Sequence, residues 1–311
     1  LSLHDALPIL YRQGLFQSLS ERQHALLYAF FPCVIFLVPS IIYVFAVRKE
    51  GFAGLHVHRF SPTFATFLFL SLALMIAAVA AEKFSLACFF SGLAVREPVR
   101  LSFQNDFLIN LILYVIVPVV CEELFFRGVL QTALSEAAGG FAGITVSALA
   151  YALIYFDLAG FPVYLTVGVL SGILRHVCGS VVPGMLAHAV FRFVSLTFSA
   201  QLSFIASERA GGYFVLVVLV LAVFVFLLFY LKSLEIVCTK KAVSVLVMQN
   251  DTQKAENDRQ TPAESENLVV FRSKPFRLTA ETGYTFHKFW RVLFSPALIL
   301  AFVAYGLILF L

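Results

Sequence analysis

Apolar residues in this chain fall in long uninterrupted runs. They do not alternate as in a half-buried strand or form the one-sided stripe of a soluble helix. The runs cover 27–47, 63–81, 107–134, 140–156, 161–174, 181–198, 212–231 and 292–311. Most are near the ~20 residues that carry a helix across a ~30 Å hydrocarbon core at about 1.5 Å per residue. The runs at 140–156 and 161–174 are short, as spans inside a bundle can be. The pattern predicts an all-α, multi-pass membrane helix bundle with about eight spanning helices. Breaks are expected at Gly139-Gly140, at Gly160-Phe161-Pro162, and at Gly179-Ser180, where Ser180 is placed to cap the next helix. Pro183 then lies in a first turn, where its missing N–H costs little. Pro118 sits mid-run, one turn before a pair of glutamates, and should kink its helix. That kink either opens room for a polar cavity or serves packing alone.

The span pattern divides the chain into 10–100 (N-terminal spans), 101–203 (a core carrying most of the intramembrane polar groups), 204–231 (a seventh span), 232–291 (a polar loop) and 292–311 (a last span). Residues 1–9 read like a translated sequencing adapter and add nothing to the expected fold. The stretch 84–90 reads as a continuation of the second helix or as an interfacial segment. Within 232–291 the middle, 249–267, has the composition of a disordered tether, flanked by possible short strands at 243–247 and 268–271. Ten of the 22 Lys and Arg residues lie in 232–291. With eight spans, fourteen cations fall on that side and six on the other. This places the loop in the cytoplasm of a multi-pass cell-membrane protein.

Composition agrees with the pattern. Only 13% of residues are charged and mean hydropathy is +0.91, against about 25% charged in a soluble domain. The net charge of +4 is too small to point to nucleic acid, and the expected surroundings are membrane lipid. Five cysteines at unpaired spacing read as small buried hydrophobes, without disulfides or a zinc motif.

The chemistry concentrates in Glu122-Glu123-Leu124-Phe125-Phe126-Arg127, inside the third run. A charged side chain at mid-bilayer costs about 2.5–3.5 kcal/mol on the insertion scale, so three in one helix must face protein or water. Glu123 and Arg127 are four apart and share a helix face in the favourable order. Glu122 points about 100° away. One carboxylate is then paired, and the other is available as a general base. The alternative is a structural ion pair with the second carboxylate paired elsewhere. In the sixth run His188 and Arg192 also share a face, which makes a common polar lumen the expected arrangement.

These residues resemble the CAAX-protease and bacteriocin-processing (CPBP) family of intramembrane endopeptidases, over roughly 105–196. Glu122-Glu123-x-x-x-Arg127 matches that family's EExxxR motif. The run Gly168 to Arg175, with Gly179 to Pro183 and Ala187-His188-Ala189, resembles its third motif block. The resemblance implies a membrane-embedded site in which the first glutamate activates water for hydrolysis of a membrane-associated peptide or protein. In the family's eukaryotic members that substrate is a prenylated C-terminal peptide. It further implies Glu122 as base, Glu123 and Arg127 as positioning pair, and His188 as oxyanion donor.

Two positions depart from the family pattern. Its FxxxH motif falls on Tyr151-Ala152-Leu153-Ile154-Tyr155, so Tyr155 stands where a histidine is expected, and Arg192 stands where Asn or Asp is expected. A phenol does not take up a proton at neutral pH, but it can hydrogen-bond water or a carbonyl oxygen. Arg192 can stabilise an oxyanion or can clamp Glu122 as an inert carboxylate. The matched positions leave only His188 and a carboxylate as ligands, where a catalytic zinc usually has three, so neither a metal nor another cofactor is expected. His56 and His58 read as solvated loop residues and His176 as a span-end residue without a ligand partner. Two further readings are a catalytically degenerate relative that binds a peptide or partner helix, and a small transporter. The transporter lacks the internal repeats expected of one. Oligomeric state is not legible.

Overall fold

A computed structural model of the chain describes residues 21–49, 51–58, 64–89, 107–155, 157, 160–207 and 218–236, and the regular elements among them are all helical. They are α1 (21–48), α2 (Ala65–Phe89), α3 (Phe107–Ala138), α4 (Gly140–Ile154), α5 (Phe161–Cys178), α6 (Val182–Ser207) and α7 (Val218–Ile236). A short 3₁₀ turn, Gly51–Leu55, follows α1. Five segments are long and apolar enough to cross a membrane, namely Ala25–Arg48, Ala65–Lys83, Phe107–Ala138, Phe161–Cys178 and Val218–Ile236. Gly140–Ile154 and Val182–Phe198 are shorter apolar helices. The chain is a multi-pass helical bundle. The expected span at 292–311, the strands at 243–247 and 268–271, the tether at 249–267 and the first nine residues lie outside the described residues.

Helix ends follow local chemistry. Gly139 (φ 92°) and Gly179 (φ 74°) take up backbone that L side chains rarely adopt, and they stop α3 and α5. Both helices run four residues past the sequence-based ends at 134 and 174. Arg175 is therefore helical, and its Nη1 donates to the Gly179 carbonyl at 3.1 Å. α7, described from Val218, runs past the expected end at 231, so the start of the polar segment is helical, not loop. Leu234 continues the buried face there and packs on the core. α2 continues to Phe89, which settles the stretch 84–89 as helix. Ser180, expected as the N-cap, stands one residue earlier, since the Val181 carbonyl takes the first helical bond; its Oγ accepts from the Val182 N–H at 3.3 Å and its hydroxyl donates to the His58 carbonyl.

α3 is not a uniform α-helix. Wide π-type turns cover Ile112–Ile116 and Leu124–Leu130. The first ends beside Pro118, where the Val117 N–H reaches back to the Ile112 carbonyl. The second begins directly after Glu123. Such bulges occur often at functional sites, because one extra residue in a turn re-aims the side chains around it.

The core joins residues from every helix, among them Phe36 of α1, Phe67 of α2, Phe126 of α3, Tyr151 of α4, Leu174 of α5, Phe191 of α6 and Tyr230 of α7. α1 packs along α3, and α2 packs between α5 and α6. α4 lies so close on α5 that a Cβ at Gly168 would sit 2.9 Å from Ala148 Cα. α7 attaches through Tyr230, stacked on Phe67 at 4.8 Å, while Val220, Leu221, Phe224 and Phe229 face outward. On a membrane bundle such a surface meets acyl chains.

At one end Arg48 of α1 pairs with Glu136 of α3, Nη2 to Oε1 at 2.8 Å. His56 departs from its sequence reading. It is half-buried, and its carbonyl accepts from the Val181 N–H at 3.2 Å, which anchors the start of α6. His58 is exposed as expected. Replacing Gly168 by Leu should force α4 from α5 and cost about 1–3 kcal/mol, as overpacking does. Unfolding of the full chain in mixed SDS micelles measures this, and an unchanged midpoint would contradict the close contact.

Candidate active site

Near the middle of α3 the chain buries both glutamates. Glu122 is 4% exposed, Glu123 and Arg127 are 0%, His188 is 1% and Arg192 is 6%. The charged groups thus face protein and not acyl chains, as the cost of charge in hydrocarbon demands. All six residues singled out in the sequence, Glu122, Glu123, Arg127, Tyr155, His188 and Arg192, converge there.

Glu122 uses its two oxygens differently. Oε1 accepts from Arg192 Nη1 at 3.1 Å. Oε2 accepts from the Tyr155 hydroxyl at 2.8 Å and lies 3.8 Å from His188 Nε2. Arg192 directs Nη2 elsewhere, to the Tyr28 hydroxyl at 2.7 Å. Its two terminal nitrogens are divided between α3 and α1 and do not fork on to one carboxylate.

Glu123 is held from the other side. His188 Nδ1 lies 2.9 Å from Oε1. Arg127 was expected to be its tight partner, but its Nε is 3.5 Å from Oε2, outside good hydrogen-bond geometry. The wide turn that opens after Glu123 changes the angle between the two residues. Arg127 instead donates Nη2 to the Gly168 carbonyl at 3.2 Å, and its guanidinium lies 4.7 Å from the centre of the Tyr151 ring, a cation–π contact. The pair survives as a through-space attraction, and the short contact belongs to His188.

The structure adds residues that the sequence reading did not assign. The Tyr151 hydroxyl is 3.0 Å from that of Tyr155 and 2.9 Å from His188 Nε2, so it bridges α4 to α6. Its signal was present: Tyr151 and Tyr155 are four apart and share a helix face. Tyr28 carried no such signal, since its contact spans α1 to α6. Gly184 was also missed. A Cβ there would come within 3.0 Å of Glu123 Oε2, so a larger residue would crowd the carboxylate. Tyr155 is fixed by its ring, which stacks on Tyr164 of α5 at 3.9 Å.

As a whole, the cluster sets an acidic pair between two guanidiniums and an imidazole. It can accept a proton at Glu122, donate one from His188, and stabilise negative charge with Arg192. Among the described residues no three His, Cys, Asp or Glu side chains are placed to share a metal ion.

A bundle of apolar helices that buries ionisable groups midway along one of its spans defines the class, a multi-pass membrane protein with a buried polar site. Residues 104–194 match the family model described as type II CAAX prenyl endopeptidase Rce1-like, and this match supports the CPBP-family membership that the motifs imply. The matched segment contains every residue of the cluster except Tyr28. No curated protein and no solved structure matches the chain.

If Arg192 offsets Glu122, Arg192→Met should leave a buried carboxylate uncompensated and cost about 3–5 kcal/mol. Adding Glu122→Gln to the same chain should restore most of that stability. A double-mutant cycle in mixed micelles tests the coupling, and strictly additive effects would show that the two groups do not interact.

Proposed function

We propose that the chain is a CPBP-type intramembrane endopeptidase. It hydrolyses a peptide bond of a membrane-associated peptide or protein with water activated by Glu122. The observation that carries this reading is the asymmetry of Glu122, with one oxygen tied to Arg192 and the other facing Tyr155 and His188. The second oxygen is the reactive one. When the Tyr155 hydroxyl moves off it, water takes that position and gives a proton to Glu122 as it attacks the carbonyl. Arg192 and the released phenol then donate to the developing oxyanion. His188, oriented through Nδ1 by Glu123, presents Nε2 as proton donor to the leaving nitrogen. On this reading its role is proton delivery, not the oxyanion contact implied by the family pattern. The polar segment 232–291 faces the cytoplasm on the same reading.

A second reading has its own observation. Both oxygens of Glu122 and both nitrogens of His188 meet side chains of this chain, and the four charges of Glu122, Glu123, Arg127 and Arg192 sum to zero. A closed neutral cluster suits a relative that binds a peptide and does not cleave it.

One experiment separates the two. The purified full chain in liposomes is offered membrane peptides, and products are read by mass spectrometry. Glu122→Gln should lower cleavage roughly 10²–10⁴-fold, the usual worth of a general base. Undiminished cleavage in that variant refutes the catalytic role. Cleavage that appears only in the Tyr155→His, Arg192→Asn double variant selects the binding reading.

A further inference from the structure

The protons in the cluster can be counted, and the count does not close for the simplest charge state. Three short contacts run from His188 to Glu122. They are His188 Nε2 to the Tyr151 hydroxyl (2.9 Å), the Tyr151 hydroxyl to the Tyr155 hydroxyl (3.0 Å), and the Tyr155 hydroxyl to Glu122 Oε2 (2.8 Å). Beyond the histidine, Nδ1 meets Glu123 Oε1 at 2.9 Å. Glu123 also has Arg127 beside it and is read as ionised, so it only accepts and Nδ1 carries a hydrogen.

A neutral His188 then has a bare Nε2. An ionised Glu122 has no hydrogen to give. The two phenols supply one hydrogen each, and there are three contacts to fill. One of them would set lone pair against lone pair inside a fully buried site, where an unsatisfied polar contact is disfavoured.

One further proton completes the chain in either of two ways. On Nε2 it makes His188 a cation, and both phenols donate toward Glu122. On Glu122 Oε2 it makes a carboxylic acid, and both phenols donate toward His188. The two arrangements interconvert when three protons each cross their own hydrogen bond. Arg192 favours this, because it occupies Oε1 and leaves Oε2 as the oxygen that takes the proton. We infer that Glu122 and His188 share one proton through the hydroxyls of Tyr151 and Tyr155, with Tyr151 as the positioning residue that makes the two ends one acid–base unit.

The surrounding groups fit such a unit. Glu123 and Arg127 come from α3, and Arg192 comes from α6. Tyr28 comes from α1 and holds Arg192. Tyr164 comes from α5 and stacks on Tyr155. Cys33 of α1 and Cys121 of α3 lie beside the cluster, with their sulfurs 3.7 Å apart. The two guanidiniums and two carboxylates cancel, so the shared proton leaves a single positive charge with a carboxylate at each end of its path.

Its use rests on the endopeptidase reading; its existence does not. In hydrolysis the oxygen of water bonds to the carbonyl carbon and its proton goes to Glu122. His188 gives its Nε2 proton to the leaving nitrogen as the C–N bond breaks. Once the Tyr155 hydroxyl is back on Glu122 Oε2, a shift along the two phenols returns the proton from Glu122 to His188. The starting state is restored without exchange with bulk water.

The test is nitrogen NMR on the full chain, labelled with ¹⁵N-histidine in micelles, with the His188 signal identified by its loss in His188→Gln. The Nε2 signal of the unaltered chain should be that of a nitrogen wholly or partly protonated. Glu122→Gln should shift it to that of a bare acceptor, because the amide supplies the missing hydrogen to Tyr155. In Tyr151→Phe the same Glu122→Gln change should leave the His188 signal unmoved. A signal indifferent to Glu122→Gln, or shifted equally with and without Tyr151, overturns the proposal. Unfolding of Tyr151→Phe in mixed micelles shows whether the variant is native, and Tyr155→Phe provides an independent break in the same chain. If the coupling is present and no peptide is cleaved, the shared proton stands and the endopeptidase reading falls. Cleavage without coupling gives the reverse.

Discussion

Charge in hydrocarbon is the constraint on which this bundle depends. α3 carries two carboxylates and a guanidinium midway along an apolar span, where a cost of about 2.5–3.5 kcal/mol for each uncompensated charge at a bilayer centre cannot be left unanswered. The compensation comes from other helices. Arg192 of α6 answers Glu122, and His188 of the same helix answers Glu123. Tyr151 and Tyr155 join α4 to both, and Tyr28 ties α1 to Arg192. Apolar packing brings helices together, but any of several rotations would bury similar area. A polar cluster whose members must meet within about 3 Å admits far fewer. The register of α1, α4 and α6 on α3 is thus tied to the same contacts that form the site.

The two adjacent glutamates receive different surroundings, and their roles divide accordingly. Glu123 lies between an imidazole and a guanidinium, against the small Gly184. Glu122 spends one oxygen on Arg192 and turns the other toward hydroxyl and imidazole. The wide turns of α3 bear on this division. A uniform α-helix would set Arg127 tightly on Glu123 by the i,i+4 relation. The widened turn after Glu123 lengthens that pair and sends the guanidinium to the Gly168 carbonyl and the Tyr151 ring, which frees Glu123 to orient His188.

Legibility from the sequence follows the range of the interaction. Helices and their approximate ends came from uninterrupted apolar runs and from glycines at 139 and 179, which are local signals. The extension of α7 past residue 231 was not legible, because a single lysine reads as a boundary while Leu234 still packs inward. Within the site, the i,i+4 pairs Glu123/Arg127 and His188/Arg192 were legible as shared faces, and the family resemblance implied that those faces meet. The partners within the site were not. Glu123 chose His188 over Arg127 because of a change in helix geometry that no residue pattern marks. Tyr28 joined through a contact between distant helices. Tyr151 lay in a motif position already noted, but its hydroxyl gained meaning only once His188 was found 2.9 Å away.

The departures at Tyr155 and Arg192 bear on whether the site has decayed. A buried polar network is an expensive way to fill a membrane core, since apolar side chains of similar volume are often as stabilising or more so. A site released from use would be expected to drift toward them. Here the unusual groups are polar and matched to one another. Tyr155 donates to Glu122, Tyr151 bridges from Tyr155 to His188, and Arg192 divides its nitrogens between Glu122 and Tyr28. The two phenols supply between them a path from carboxylate to imidazole that a single histidine would supply in another way. Four residues on three helices thus stand within hydrogen-bond distance in a row. Both altered positions meet the same carboxylate, Tyr155 on Oε2 and Arg192 on Oε1, and this matching speaks against two independent losses.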